Sequence, residues 1–479
     1  MSDFIGENCG IAVAHSLHDV YSMIEALQHR GKDSCGIMAV SDNAIDIIKW
    51  IGRVNDFSVR DLQDILQSRV NGYHTFGAHV RYTTSGAPNI WQAHPHFIGG
   101  RVFDRGSHMI VRGCEAALIH NGQVNPIYLD TVDKSKLVTA CDSEALLHYY
   151  KNHGARSLQR EIPGAYTLAI ADKKAKEVLV MRDRTGIRPG VIGIKDGKFC
   201  VASEDISFRK SGASFIKQLD PGAIYYFDPT GGYSKEKGLV TRSPKNCFFC
   251  WNYVADIESV LEGISVNSLR FALGEQLGLE FIAANPDEQI DFVTFLPHSP
   301  EPAAGGFDRA VGKNEFRKVF NKMRDDRSFM GATPESRASS IKKNLYLLSD
   351  VEEGCLEGMT GVVIDDSGVR GTNAKHARHL LYDIAKVKKA YYALYTPPIG
   401  IIGDDEIPRG CEYGVDMPSR TDNFMARNGA ANRTREEISE YIGMPVFYIS
   451  PQGMFKVFER FGLKRDRLCS FCIGGEKPF

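Results

Sequence analysis

No uninterrupted apolar run approaches the roughly 20 residues that a membrane-spanning helix needs, so the sequence offers no transmembrane helix. An excess of either charge is missing too. Lys and Arg number 58 and Asp and Glu 59, a formal net charge of -1. That balance removes any global electrostatic argument for nucleic acid or an anionic membrane surface as a partner. Cysteine is sparse: 11 in 479 residues, an odd count, exclude a disulfide scaffold and fit a reducing cytoplasm with some thiols kept for chemistry or metal. The opening Met-Ser-Asp-Phe-Ile-Gly-Glu-Asn carries neither a basic n-region nor a long apolar core, so neither a secretory signal nor a transit peptide is expected. There is no fixed-period repeat and no low-complexity segment.

What is present is an ordinary globular mix, 43% apolar and 24% charged, long enough for about two to four domains. Residues 9–240 read as short β-branched and aromatic runs between glycine turns, with strands expected at Ile37–Val40, Thr75–Val80, Ala117–His120, Tyr166–Ala171, Glu177–Arg182 and Ala223–Phe227. Val20, Met23, Ile24 and Leu27 form a helical stripe within Asp19–His29. This pattern predicts a layered α+β domain. From about Val266 helical stretches alternate with the compact strands Asp291–Leu296, Thr360–Ile364 and Ala390–Tyr395, which predicts an α/β domain with a parallel sheet. Thr434–Glu437 is a capping box opening a helix that ends at Gly443. Gly231–Lys245 is the expected interdomain linker, with a hairpin loop as the alternative.

Cys9 heads an apolar strand, and taken alone it reads as a core thiol. Its company changes the reading. His29-Arg30-Gly31, His79-Val80-Arg81-Tyr82, His120-Asn121-Gly122 and Cys141-Asp142-Ser143-Glu144 are polar clusters beside apolar strands. A cysteine at a freshly exposed N-terminus carries its own base in the α-amine. An Asn side chain and a glycine N–H can form an oxyanion hole, and an Arg with an Asp can hold a free amino acid. The residues alone thus suggest a thiol hydrolase of an amino-acid amide.

These motifs, with Arg182-Asp183-Arg184-Thr185-Gly186-Ile187-Arg188-Pro189, resemble the class II glutamine amidotransferases of the N-terminal-nucleophile fold. The resemblance implies an αββα sandwich over residues 9–240, preceded by a propeptide at 1–8 whose removal frees Cys9. It implies Asn121 and Gly122 in the oxyanion hole, Arg81 and Asp142 on the glutamine carboxylate and ammonium, and Arg30 locking the bound substrate.

In the second half, the strand Val362–Ile364 runs into Asp365-Asp366-Ser367-Gly368-Val369-Arg370-Gly371-Thr372. Loop amides and a helix N-terminus seat phosphate, and two carboxylates hold ribose hydroxyls directly or through a divalent cation. The bland alternative is an acidic N-cap with a glycine turn. The pattern is similar to the phosphoribosylpyrophosphate (PRPP) loop of type I phosphoribosyltransferases, which implies such a domain over 246–479, PRPP binding by residues 365–372, and Mg2+ at Ser299, Asp365 and Asp366. Lys313–Lys343 holds nine basic residues against four acidic ones. A flap carrying Arg327, Lys342 and Lys343 is one reading of it, a solvated helix face the other. Three stretches depart from the family pattern: Pro297-His298-Ser299, Ala255-Asp256-Ile257-Glu258-Ser259 and Ile341-Lys342-Lys343-Asn344-Leu345.

Cys247-Phe-Phe-Cys250 and Cys469-Ser-Phe-Cys472 read cold as two halves of a structural zinc site, as a [4Fe-4S] ligand set, or as free thiols. The resemblance selects the cluster, with Cys247, Cys411, Cys469 and Cys472 as ligands and Cys250 as a spare. Cys35, Cys114, Cys141, Cys200 and Cys355 are expected to be core or incidental. Taken whole, the resemblance implies glutamine hydrolysis through Cys9 and attack of the released ammonia on C1 of PRPP, giving 5-phosphoribosylamine, pyrophosphate and glutamate, the first step of purine synthesis. It also implies a cytoplasmic homotetramer inhibited by purine nucleotides. The alternatives are a glutaminase or amidotransferase whose phosphosugar or nucleotide site has drifted, and a non-catalytic nucleotide sensor.

Overall fold

The computed structural model describes residues 9–67, 72–82, 88–239, 244–312, 316–322, 345–415, 417–420, 423–429 and 431–479. The expected 1–8 propeptide and the flap residues Arg327, Lys342 and Lys343 lie outside them.

Alternating apolar residues in the first half build two antiparallel sheets, of nine and six strands. The strand after Cys9, Gly10–Ala14, sits inside the larger sheet between Thr75–Arg81 and Lys198–Ala202, in registers Ile11↔His79 and Val13↔Val201. Ala116–Gln123 and Ala165–Asp172 pair in the smaller sheet. Ile11, Val13, Ile119, Ala169, Val180 and Val201 fill the space between the sheets. On the outer faces, Val20, Met23 and Ile24 of the helix Leu17–Ala26 pack on one sheet, and Leu146, Leu147 and Leu158 of Asp142–Glu161 on the other. The result is the αββα sandwich of the N-terminal-nucleophile fold.

The expected strands are present, shifted by one to three residues at their ends. The helical stripe ends earlier than its spacing suggests. An α-helix stops at Ala26, and a 3-10 turn, Gln28–Arg30, carries Arg30 inward. Tyr233–Glu236 pairs with Ile224–Phe227, so the first part of the expected linker is the hairpin of the alternative reading.

The second half holds a parallel sheet in the order Phe292–Phe295, Thr360–Asp365, Lys389–Leu394, Val446–Tyr448. Its strands are buried almost throughout, as parallel strands covered on both faces must be. The capping box at Thr434 and Glu437 forms, and the helix stops at Gly443 with φ +84°. Two short strands far apart in sequence, Asn246–Cys247 and Leu468–Cys469, pair in parallel and bring the two CxxC segments together.

Candidate functional site

Cys9 stands half-buried at the mouth of its strand, next to the end of Thr75–Arg81. Burial pushes its thiol up, while the Tyr82 amide and the Arg81 and Arg30 charges pull it down and Asp142 opposes them. Cys9, Arg30, Arg81 and Asp142 therefore share one electrostatic site. Arg30 Nε donates to the Cys9 carbonyl at 2.9 Å. Gly31 lets the 3-10 turn lie on the Arg81 backbone, since a Cβ there would stand 2.5 Å from the Arg81 carbonyl carbon. Asp142 opens its helix, with Oδ2 accepting from Val124 N at 2.8 Å.

Asn121 and Gly122 end the strand Ala116–Gln123. Asn121 Nδ2 donates to Ser203 Oγ at 3.2 Å, and Ser203 Oγ also accepts from Ile11 N at 3.0 Å. Gly122 has φ +156°, and a Cβ there would meet the Ala165 carbonyl oxygen at 2.0 Å, so the position demands glycine.

Ser203 and Glu204 escaped sequence reasoning. The only local signal is the polar run Ser203-Glu204-Asp205 directly after an apolar strand. Glu204 is fully buried and receives Arg30 Nη1, His29 Nε2 at 3.1 Å, Ser259 Oγ at 2.6 Å and Asp256 N at 2.9 Å. Burial alone would raise its carboxyl; the His29 and Arg30 charges outweigh that and hold it far below the ordinary carboxylate range. The departed stretch Ala255–Ser259 thus still grips the first domain, through a backbone amide and a serine.

At the C-terminal end of the strand Thr360–Asp365, Asp365, Asp366, Ser367 and Arg370 are buried in the loop leading to the helix Thr372–Arg378. Burial raises both carboxyls, and Asp365 raises Asp366 further. Tyr392 Oη donates to Asp365 Oδ2, and Ser367 Oγ donates to Asp366 Oδ1 at 2.8 Å. Buried Arg270 ties this end to the interdomain segment. It donates to the Trp251 carbonyl at 2.7 Å, the Ala255 carbonyl at 2.9 Å and the Ser299 carbonyl at 3.4 Å, and its charge reaches Asp366. Tyr392 and Arg270 were not singled out from sequence.

Cys247, Cys411, Cys469 and Cys472 line one small cavity with Ile187, Phe249 and Tyr413; Cys250 is not part of its wall. The amides of Tyr413 and Val415 both donate to Cys411 Sγ at 3.4 Å. Arg188, from the first domain, lies near these thiols, its Nε and Nη1 buried without a partner. Cys141, expected to be core or incidental, is half-buried rather than core: it caps the N-terminus of the helix Asp142–Glu161, its Sγ 3.7 Å from Asp142 Oδ1.

A glutamine amidotransferase domain family matches residues 109–237. An amidophosphoribosyltransferase of Methanothermobacter thermautotrophicus is 28% identical, the alignment covering 99% of this chain and 95% of that one. A chloroplastic amidophosphoribosyltransferase of Vigna aconitifolia is 29% identical, covering 98% and 91%. Among solved structures, glutamine PRPP amidotransferase from B. subtilis, complexed with ADP and GMP, superimposes with a TM-score of 0.77 at 24% identity over 98% of this chain and 97% of that one. An allosteric regulatory enzyme of purine biosynthesis gives 0.78 at 24% identity over 98% and 96%. Sequence and fold agree over nearly the whole length: this chain is a relative of the amidophosphoribosyltransferases, a glutamine amidotransferase domain followed by a phosphoribosyltransferase domain.

Proposed function

We propose that the chain hydrolyses glutamine at Cys9 and delivers the ammonia to C1 of PRPP, giving 5-phosphoribosylamine, pyrophosphate and glutamate. The observation that carries this reading is that the charges of Arg30, Arg81 and Asp142 all reach the Cys9 thiol in a chain that also presents a buried acidic pair at the end of a parallel strand.

In the first domain, 9–240, Cys9 attacks the amide carbon once residues 1–8 are removed, with its α-amine accepting the thiol proton. Asn121 Nδ2 and the Gly122 N–H stabilise the oxyanion. Asn121 is held for this by Ser203, which the first strand positions in turn. Arg81 takes the substrate carboxylate, Asp142 its ammonium, and Arg30 closes the pocket. Phe248 and Trp251, buried where the two halves meet, offer dry walls that keep ammonia unprotonated on its way to the second domain, 246–479.

There, the loop 365–372 binds PRPP. The amides after Ser367 seat the 5-phosphate, and Asp365 and Asp366 hold the ribose hydroxyls. The same hard carboxylates, both raised by burial and Asp366 further by the Asp365 charge, suit Mg2+, with Ser299 as the third ligand. Bound there, Mg2+ would offset charge on the leaving pyrophosphate.

The four-thiol cavity suits a [4Fe-4S] cluster better than zinc. Tetrahedral zinc needs sulfurs roughly 3.8 Å apart. Among the described residues, the only ligand trio with atoms within 4.8 Å of one another is His94, His96 and Cys141, so these four thiols stand wider. The orphaned Arg188 donors fit an anionic group beside them, and amide bonds to a ligand sulfur are what such clusters receive. The cluster would be held by Cys247, Cys411, Cys469 and Cys472 and would cross-link the domain junction to the C-terminal tail. A cytoplasmic homotetramer inhibited by purine nucleotides completes the reading, the latter supported by the ADP and GMP bound to the B. subtilis relative.

Pyrophosphate release tests the reading. Anaerobically purified protein is expected to release it from PRPP with either glutamine or ammonia, and Cys9→Ala with ammonia alone. Glutaminase activity without PRPP turnover from either nitrogen source would overturn it in favour of a drifted phosphosugar site.

A further inference from the structure

Behind the glutamine pocket lies a group of buried histidines that the reaction does not use. The His79 and His94 rings stack with centroids 4.0 Å apart, and His94 and His96 meet edge to face at 4.7 Å. His94 Nδ1 and His96 Nε2 are buried without a hydrogen-bond partner. His79 Nδ1 and His120 Nε2 beside them are unpartnered as well, and buried ring nitrogens are normally satisfied, so such a gathering needs a cause. Cys141 supplies it: one ligand atom each from His94, His96 and Cys141 lie within 4.8 Å of one another.

We propose that His94, His96 and Cys141 form a site for a thiophilic divalent cation of the zinc class, one residue from Asp142. Two imidazoles and a thiolate match zinc by ligand type, with the fourth position left for water. Metal bonds of about 2.0–2.3 Å would hold these atoms roughly 3.3–3.8 Å apart, so closing the site asks for shifts of about an ångström. Binding forms two nitrogen–metal bonds and one sulfur–metal bond, and the thiol proton leaves to solvent. The charges that reach the trio are Lys49 and Arg81 against Asp142, with the rings of His79 and His120 beside them, so the thiolate formed on binding supplies the further negative charge. Lys49 Nζ, whose charge reaches His96 and Cys141, is held on backbone, donating to the Ala93 carbonyl at 2.8 Å, the Trp91 carbonyl at 3.3 Å and the Pro95 carbonyl at 3.5 Å. Ligation would replace the contact between Cys141 Sγ and Asp142 Oδ1. The site would therefore report metal directly to the glutamine pocket. It stands on the geometry alone, whatever the second domain transfers.

The test uses the full chain, purified anaerobically, with zinc as the probe. In a Cys9→Ala background, which removes a competing thiol, equilibrium dialysis counts zinc per chain. Adding Cys141→Ser or His96→Gln is expected to remove one equivalent, and equal stoichiometry in all three proteins overturns the site. A second measurement needs no substitution at the site. Mass mapping of maleimide labelling on the wild-type chain should show Cys141 reacting about tenfold more slowly with zinc present, because a ligated thiolate is no longer free to attack. An unchanged Cys141 rate, or equal protection by Mg2+, overturns the proposal.

Discussion

Arg30 binds Cys9 and Glu204 at once, its Nε on the Cys9 carbonyl and its Nη1 on the buried carboxylate. Glu204 in turn receives Ser259 Oγ and Asp256 N from the second half of the chain, and Arg270 joins that segment to Ser299. A continuous run of hydrogen bonds therefore links the nucleophile to the edge of the phosphoribosyl site. Whether it carries coupling is a matter of free energy, which substitution measures.

Replacing Glu204 by Ala leaves Arg30 buried without its anion, and removing one partner of a buried pair costs about 3–5 kcal/mol. Denaturant unfolding should show that loss. Glu204→Gln keeps hydrogen-bonding atoms in place and should cost less, while making glutamine hydrolysis less responsive to PRPP. An unaltered response to PRPP in a folded Glu204→Gln protein would show that the path is structural only.

The same cluster sets a pH dependence. Glu204 is held below its ordinary range, so its stabilisation is present above the unfolded value of about 4.3 and fades as the pH falls below it. His29 behaves oppositely. Burial lowers it, but the Glu204 charge and hydrogen bond outweigh burial and leave it raised, so its contribution holds below the unfolded value of about 6.5 and fades as the pH rises past the folded one. Unfolding midpoints of the wild type should therefore fall on both sides of a mildly acidic maximum. Glu204→Gln should flatten the curve on both sides.

Asn121 and Asp142 should separate in kinetics. Asn121→Ala removes a donor aimed at developing charge and should lower kcat for glutamine by roughly 10²–10³ with little change in KM. Asp142→Asn should act mainly on KM, because it weakens ground-state binding of the ammonium. Equal effects on both parameters from both variants would contradict the assigned roles. Ammonia-dependent turnover serves as the folding control.

Much of this was legible in the sequence, because strand alternation and short-range motifs are local. Gly10–Ala14, Thr75–Arg81 and Thr360–Asp365 announce themselves by composition, as does the capping box at Thr434. Glu204 does not, because its partners Arg30 and Ser259 lie 174 and 55 residues away. The turn at Gln28–Arg30 was missed for a related reason: a helical stripe cannot show where the α-helix tightens to a 3-10 turn to aim one side chain inward. Cys141 looked incidental because its neighbours in space, His94 and His96, belong to another strand and its approach.

The acidic pair should make magnesium binding visible without turnover. Both Asp365 and Asp366 are raised by burial, so ionising them costs folded-state stability as the pH climbs through their unfolded range. A bound divalent cation reverses that cost. The melting-temperature rise on adding Mg2+ should thus be larger near pH 8 than near pH 5. Asp366→Asn should stabilise the metal-free protein at neutral pH, shrink the Mg2+ shift and abolish PRPP turnover while sparing glutamine hydrolysis.

Arg188 gives the iron–sulfur assignment its sharpest prediction. Its guanidinium is buried with one nitrogen on the Tyr413 carbonyl and two without partners, beside Cys411 and Cys469, whose thiols burial pushes up and so favours as neutral. An anionic cluster would satisfy the cation and a neutral thiol set would not. Arg188→Met should therefore lower iron and sulfide content after anaerobic purification and speed bleaching of the visible absorption in air. Cys250→Ser should leave iron content intact, since Cys250 stands outside the cavity wall, whereas Cys469→Ser should lose the cluster. That loss should also raise hydrogen exchange in the tail after Leu468, whose strand pairs with Asn246–Cys247 over just two residues. Iron retained by Cys469→Ser and lost by Cys250→Ser would reassign the ligand set.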